Sequence, residues 1–454
     1  MSRVFLSAVL LAAIVTVPTA QTPAASKVTV PIDYHTLQNG LKVVLSRDTS
    51  SPTAVVAVYY NIGFRIEPKD RTGFAHLFEH MMFQGSEHLG KNAFIGLVQS
   101  NGGILNGSTR FDFTNYFNII PAHTVETVLW GEADRMRGLK ITAENLTNQQ
   151  GVVKNEVKVG VLNQPYGGFP WLDLPQVANT NWYNAHNFYG DLAHLDAATL
   201  ADVREFFETY YAPNNAVLVV TGDIDVQQTL GWVRRYFEGI PTSKVPVLPD
   251  ISEPRQEKEK RTNKVDPLAN RPALALGYHH PPRNTPEYYA MGLIDQILVQ
   301  GQDSRLYQAI VQRGGLAGSV EGGANPGLGS MFDVKGPMLW TVYLIHDTDK
   351  PADTIVGVID EEVAKLQNTL VTREELDLAL LKRRSALYAE QEQYVRFGRA
   401  NLLASFALFD DDPGKINTLE DEFRKVTPEL IQKTAREYLR AGNRTILTIA
   451  PKGK

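Results

Sequence analysis

From residue 34 onward the chain alternates stretches of strand-like and helical hydrophobic spacing, and it does so twice. Leu41-Lys42-Val43-Val44-Leu45 and Ala54-Val55-Val56-Ala57-Val58-Tyr59-Tyr60 carry the strand pattern, with Asn39-Gly40 as a turn signal before the first. Residues 34–62 therefore predict two paired strands. Helical spacing follows over about residues 72–85 and again over 92–100, until Gly102-Gly103 breaks it. Residues 104–119 predict extended chain, with Phe111, Phe113, Tyr116 and Phe117 interleaved with polar positions. Residues 122–138 and 142–162 predict helices, the second ended by Asn163-Gln164-Pro165-Tyr166-Gly167-Gly168. Thr199 and Asp202 form a cap before Val203-Arg204-Glu205-Phe206-Phe207, and Ala216-Val217-Leu218-Val219-Val220 predicts a strand meeting Gly222-Asp223.

The pattern then lapses and restarts. Pro241, Pro246, Pro249 and Pro254 accompany the charged run Arg255-Gln256-Glu257-Lys258-Glu259-Lys260-Arg261, so residues 241–267 predict a surface linker. A strand near 273–278, a helix around 288–300, a glycine-rich stretch and a strand at 339–345 repeat the first half in outline. Thr372 with Glu375 predicts a capping box for a helix reaching about Ser385 or beyond, and Thr427-Pro428 opens another. The halves also end alike: Tyr210-Tyr211-Ala212-Pro213-Asn214-Asn215-Ala216 and Tyr438-Leu439-Arg440-Ala441-Gly442-Asn443-Arg444 both lead from a helix into an apolar strand. Two related α+β domains, 25–240 and 268–454, are the economical reading.

Composition narrows the class. The 454 residues exceed what one core usually serves, and 43% hydrophobic with 21% charged residues is ordinary for a globular protein. A formal net charge of −5 gives no reason to expect nucleic acid or an anionic membrane as partner. Residues 1–24 stand apart: Arg3, an apolar run from Val4 to Val15, and small residues around Pro18 predict a secretory signal, with an uncleaved anchor as the alternative. Export without disulfides fits a periplasmic or secreted protein. The absence of cysteine excludes thiolate ligands and a cysteine nucleophile, so any metal must be held by His, Asp or Glu.

The chemistry concentrates in Gly73-Phe74-Ala75-His76-Leu77-Phe78-Glu79-His80-Met81-Met82-Phe83-Gln84. On a helix His76 and His80 lie one turn apart on one face, able to present two imidazoles to one ion, with Glu79 beside them to handle a proton. This inverts the familiar His-Glu-x-x-His arrangement. Catalytic zinc needs a third protein ligand and an open position. Glu156 is the candidate, because it sits in a valine-rich helix where a lone carboxylate would be costly; Glu144 is the alternative. Zinc in such a site polarises its water toward attack on a carbonyl, and Glu79 takes the proton, so amide hydrolysis is the natural reaction. Repeated Glu-x-x-His motifs, which a di-iron protein would want, do not accompany the site.

Residues 73–85 resemble the inverted zinc motif of the pitrilysin-type metallopeptidases, the family of mitochondrial processing peptidase and insulin-degrading enzyme. Glu156 falls 76 residues after His80, at that family's spacing for the third ligand, within Val152-Val153-Lys154-Asn155-Glu156. Asn163-Gln164-Pro165-Tyr166-Gly167 and Tyr211-Ala212-Pro213-Asn214-Asn215-Ala216 also look like family signatures. The resemblance implies one zinc ion on His76, His80 and Glu156, Glu79 as general base, and two similar domains forming half of a clamshell. It further implies that peptide adds as a strand at the edge Asn106-Gly107-Ser108-Thr109, with Asn106, Gly107 and Ser108 as the substrate-binding residues, next to the metal.

Two departures from the family pattern stand out. Gln149 occupies a position where many members have glutamate. Active single-chain members carry an Arg and a Tyr in the second half, the Tyr in a segment like Gly-Leu-Ala-Tyr-Ser-Val; this chain reads Gly315-Leu316-Ala317-Gly318-Ser319-Val320, with Val311 near the Arg position. The resemblance thus implies a heterodimer in which a homologous subunit without zinc supplies that pair. The competing expectation is a non-catalytic scaffold or assembly subunit of the same fold.

Overall fold

The computed structural model describes residues 28–244 and 247–452; the segment read as a signal, 1–24, lies outside them. Among the described residues the strands form two mixed sheets. β1 (Asp33–Thr36), β2 (Lys42–Arg47), β3 (Thr53–Tyr60), β4 (Ile104–Thr109), β5 (Thr114–Pro121) and β6 (Ala216–Gly222) make the first, in the order β1-β2-β6-β3-β5-β4. β7 (Lys260–Asp266), β8 (Ala273–His279), β9 (Glu321–Ala324), β10 (Leu339–Ile345) and β11 (Arg444–Pro451) make the second, in the order β7-β11-β8-β10-β9.

Without β1 the two orders coincide position for position. Each sheet has one parallel pair, β2 with β6 and β7 with β11, and is otherwise antiparallel. The entry to the final strand is also held the same way in both halves. Asn215 Nδ2 donates to the Tyr210 carbonyl at 2.9 Å, and Asn443 Nδ2 to the Tyr438 carbonyl at 2.8 Å. The chain is therefore a duplicated α+β fold.

Three expectations change. β2 and β3 are not partners: β6, buried at all seven positions, lies between them, parallel to β2 and antiparallel to β3. A strand apolar on both faces needs a central place, and this one arrives from the far end of the domain. The Asn39-Gly40 turn instead serves the β1–β2 hairpin. The span read as linker contains β7, whose charged residues belong to an exposed sheet edge, where charge discourages further pairing. Only half of the capping box at Thr372 forms: its side chain accepts from Glu375 N, while the Glu375 carboxylate grips Arg305 with two bonds of 2.7 Å.

Period-two patterning sends alternate residues of the first sheet into different cores. Val43, Val56, Val58, Leu218 and Val220 pack with Phe78 and Leu77 of α1 (Phe74–Met81). On the opposite face Val44, Val55, Ala57, Tyr59, Val217 and Val219 share a core with Leu402, Leu403 and Phe406 of the helix Arg373–Asp410, which belongs to the second half. The halves are thus welded through the back of the first sheet. A buried polar tie reinforces the weld: Arg65 Nε donates to Asp112 Oδ1 at 2.7 Å and Nη2 to the Pro337 carbonyl at 2.8 Å. Asp112 Oδ2 accepts from Lys335 N at 2.7 Å, and a Cβ on Gly336 would come within 3.0 Å of the guanidinium.

Removing one member of such a buried pair leaves the other charge without compensation. Arg65→Met is expected to lower stability by about 3–5 kcal/mol, read from the shift of the urea unfolding midpoint.

Candidate metal centre

α1 starts abruptly. Gly73, at φ +87°, precedes it without a side-chain cap, a conformation that favours glycine. The cap comes from earlier in the chain: the fully buried Glu67 carboxylate accepts from Gly73 N at 2.9 Å and Ala75 N at 2.6 Å. Burial pushes the Glu67 carboxyl up to about 8 in spite of those two donors. With the start fixed, Phe74, Leu77, Phe78 and Met81 face the core and the remaining face carries His76, Glu79 and His80.

The sequence proceeds through α2 (Ala93–Ser100) and α3 (Val125–Arg137) to α4 (Ala143–Val157), which packs against α1. Thr142 caps α4 by accepting from Asn145 N. The packing brings Glu156 Oε1 to 3.6 Å from His76 Nε2 and Glu156 Oε2 to 3.2 Å from His80 Nε2. His76 and His80 hold the Glu156 carboxyl well below the usual carboxylate range. A tetrahedral zinc with bonds near 2.0–2.1 Å places its ligand atoms roughly 3.3 Å apart. Two nitrogens and a carboxylate at these separations are a donor set that fits zinc.

The environment of Glu156 differs from the one the sequence suggested. Val152 and Val159 are 40% and 52% exposed, so the valine-rich run does not bury the carboxylate, and Glu156 is half-exposed with them. Glu144 lies exposed in the first turn of α4, outside the cluster. Gln149 is buried on α4 and donates to Asn148 Oδ1 at 2.7 Å.

Glu79 turns toward the sheet. Its Oε2 accepts from Thr109 Oγ1 at 2.7 Å, at the end of β4. Gly107 makes the approach possible, because a Cβ there would lie 3.2 Å from both Glu79 Cγ and Tyr116 Cδ1. Asn106 and Ser108 alternate with Gly107 on the outermost strand, and Ser108 Oγ donates to Asn115 Oδ1 at 2.6 Å. Thr109 belongs to the edge expected from the sequence, but its contact with Glu79 was not expected; Glu67 and Tyr189 were not singled out at all. Tyr189 packs its ring on His76, and burial, reinforced by Glu156 and Glu79, pushes its hydroxyl up. A signal for Glu67 existed in Gly63-Phe64-Arg65-Ile66-Glu67, a carboxylate placed just before a helix that lacks its own cap.

A second group, Glu87, His88 and Asp134, also gathers ligand atoms. Asp134 already accepts hydrogen bonds from Ser86 Oγ at 2.6 Å, His88 N at 3.0 Å and His88 Nδ1 at 2.5 Å. Those bonds pin the loop after α1.

Fold and site together define a duplicated two-domain protein with an inverted His-x-x-Glu-His motif on one domain. Residues 42–165 match the family described as Insulinase (Peptidase family M16), and residues 197–382 match the Peptidase M16 inactive domain. The chain belongs to peptidase family M16. A relative named zinc protease PqqE, from Helicobacter pylori, is 24% identical over 421 residues, covering 92% of each chain. The crystal structure of a protease from Helicobacter pylori superposes with a TM-score of 0.85 at 23% identity, covering 93% of this chain and 100% of that one. The periplasmic protease PqqL from Escherichia coli superposes with a TM-score of 0.74 at 18% identity, covering 94% of this chain and 48% of that one.

Glu156→Ala is expected to reduce zinc stoichiometry from about one per chain to near zero, and Glu144→Ala to leave it unchanged. Metal analysis after dialysis against trace zinc checks both.

Proposed function

We propose that this chain is a zinc endopeptidase acting on peptides or unfolded segments, with His76, His80 and Glu156 holding one zinc ion and Glu79 as general base. The observation that carries the reading is the position of Glu79. It sits beside three converging ligand atoms and at the same time touches the outermost strand of the sheet. Zinc bound there supplies a Lewis acid for the scissile carbonyl and the attacking water.

The chain's own residues divide the remaining work. The free edge of β4 offers backbone N–H and C=O groups to an extended peptide, through Asn106, Gly107 and Ser108, with little regard for side chains. Gly107 and Thr109 face α1, so the backbone of a peptide paired to β4 passes next to Glu79. Glu79 takes a proton from water as the new C–O bond forms, then returns it to the amide nitrogen as the C–N bond breaks. On the other face a cavity of about 420 Å³ lies between Ser108, Arg110 and Asn115 and, from the second half, Asp333 and Glu390. It gives room to side chains that point away from the metal.

The second half argues for a partner. Gly318 and Val311 stand where the resemblance expects Tyr and Arg, and a Cβ on Gly318 would meet nothing within 4 Å, so packing does not demand glycine there. PqqL holds about twice this chain's span, which supports a working unit of two such halves. We take a homologous subunit without zinc as the source of the Arg/Tyr pair. The PqqL likeness, together with residues 1–24, supports a periplasmic or secreted location. Among the described residues no helix is long and apolar enough to cross a membrane. A scaffold role is the second reading. It is favoured by the missing pair at positions 311 and 318, but it leaves the converged triad without a purpose.

Glu79→Gln is expected to retain zinc while lowering kcat/KM on an unfolded peptide by at least about 100-fold; hydrolysis at the wild-type rate would remove Glu79 from this role. Mixing the chain with a homologue that carries the Arg/Tyr pair is expected to raise peptide cleavage well above either alone. Full activity from the isolated chain would exclude the heterodimer.

A further inference from the structure

A metal-bound imidazole normally donates its second N–H to a carbonyl or carboxylate, which fixes the plane of the ring. His76 lacks such an anchor: its Nδ1 is buried and has no hydrogen-bond partner among the described residues. The ring is confined by packing instead. It meets the His80 imidazole at a centroid distance of 5.0 Å and 76°, and the Tyr189 ring at 5.2 Å and 52°.

Tyr189 is itself held from several sides. Its ring stands edge-on to Trp171 at 5.5 Å and 83°, and to Phe64 at 6.4 Å and 67°. The turn that carries it is pressed against the start of α1. A Cβ on Gly190, at φ +75°, would come within 2.3 Å of Gly73 N, and a Cβ on Gly73 within 2.9 Å of the Tyr189 carbonyl. Trp171 is covered in turn by the second half, where a Cβ on Gly327, at φ +82°, would lie 3.2 Å from Trp171 Cβ. A continuous run of contacts therefore leads from the glycine-rich loop of the second half through Trp171 and Tyr189 to His76.

We propose that Tyr189 is a positioning residue for the metal centre, its ring replacing the missing hydrogen bond in fixing the His76 imidazole, with Trp171 and the loop at residues 326–329 holding it in place. The domain without metal ligands thereby helps preorganise the site on the other. This rests on the reading of His76, His80 and Glu156 as metal ligands.

The test is metal affinity, measured by competition with a chromogenic chelator, together with the visible spectrum of the cobalt-substituted protein as a report on ligand geometry. Tyr189→Phe keeps the ring and should match the wild type in both. Tyr189→Ala should weaken zinc binding by about 10–100-fold and alter the cobalt spectrum, and Trp171→Ala should weaken it less, in the same direction. Tyr189→Leu, which keeps apolar bulk without a ring, serves in place of alanine if the alanine variant unfolds. Its expected result is the same loss. Wild-type affinity in both ringless variants would overturn the proposal, as would an equal loss in Tyr189→Phe, which would assign the effect to the hydroxyl. A wild-type chain that binds no zinc would refute the ligand reading itself.

Discussion

A carboxylate facing two imidazoles across 3.2–3.6 Å is the contact on which the rest of the account depends. Those side chains come from helices far apart in sequence, so the contact exists only if α1 starts in one register and α4 lies against it. Glu67 sets the register by taking the first free N–H groups of α1, and Gly73 supplies the backbone conformation that lets the helix begin there. One turn of helix then decides which side chains face the core and which face α4. The site is therefore the sum of a cap, a helical period and one packed interface.

The duplication explains how a site on one half involves the whole chain. Both halves follow one strand order, but in the second half the helix Pro286–Leu298, which follows β8 as α1 follows β3, carries no histidine. That half contributes through contact. It buries the back of the first sheet, accepts the Arg65 guanidinium at the Pro337 carbonyl, and presses Gly327 against Trp171. A sheet packed on both faces leaves its outermost strand β4 as an accessible edge, and Glu79 reaches that edge. Membership of peptidase family M16 and the shared fold agree with the proposal that a peptide strand adds at β4 beside a hydrolytic metal centre.

Much of this was legible in the residues because it follows from short-range periodicity. His76, Glu79 and His80 declare themselves by helical spacing, and the repeat shows in two similar helix-to-strand endings that the structure holds with equivalent Asn215 and Asn443 bonds. Two arguments lead to Glu156 from the sequence: its valine-rich helix, and the spacing from His80 that the family resemblance implies. The burial argument fails, because Val152 on α4 and Val159 just beyond its end are both exposed. What stayed hidden depends on long-range placement. Nothing local says that β6 inserts between β2 and β3, or that a charged stretch such as Lys260–Asp266 lies along a sheet edge. Thr109 and Tyr189 matter only because the fold brings them to Glu79 and His76, from 30 and more than 100 residues away.

The central claim is that α1 and α4 together build one zinc site. Anomalous diffraction from crystals grown with zinc, recorded on both sides of the zinc absorption edge, tests it most directly. The account predicts a single strong peak bounded by His76 Nε2, His80 Nε2 and a Glu156 oxygen, each about 2.0–2.2 Å away. A peak at Glu87, His88 and Asp134 instead, or none between α1 and α4, would contradict it.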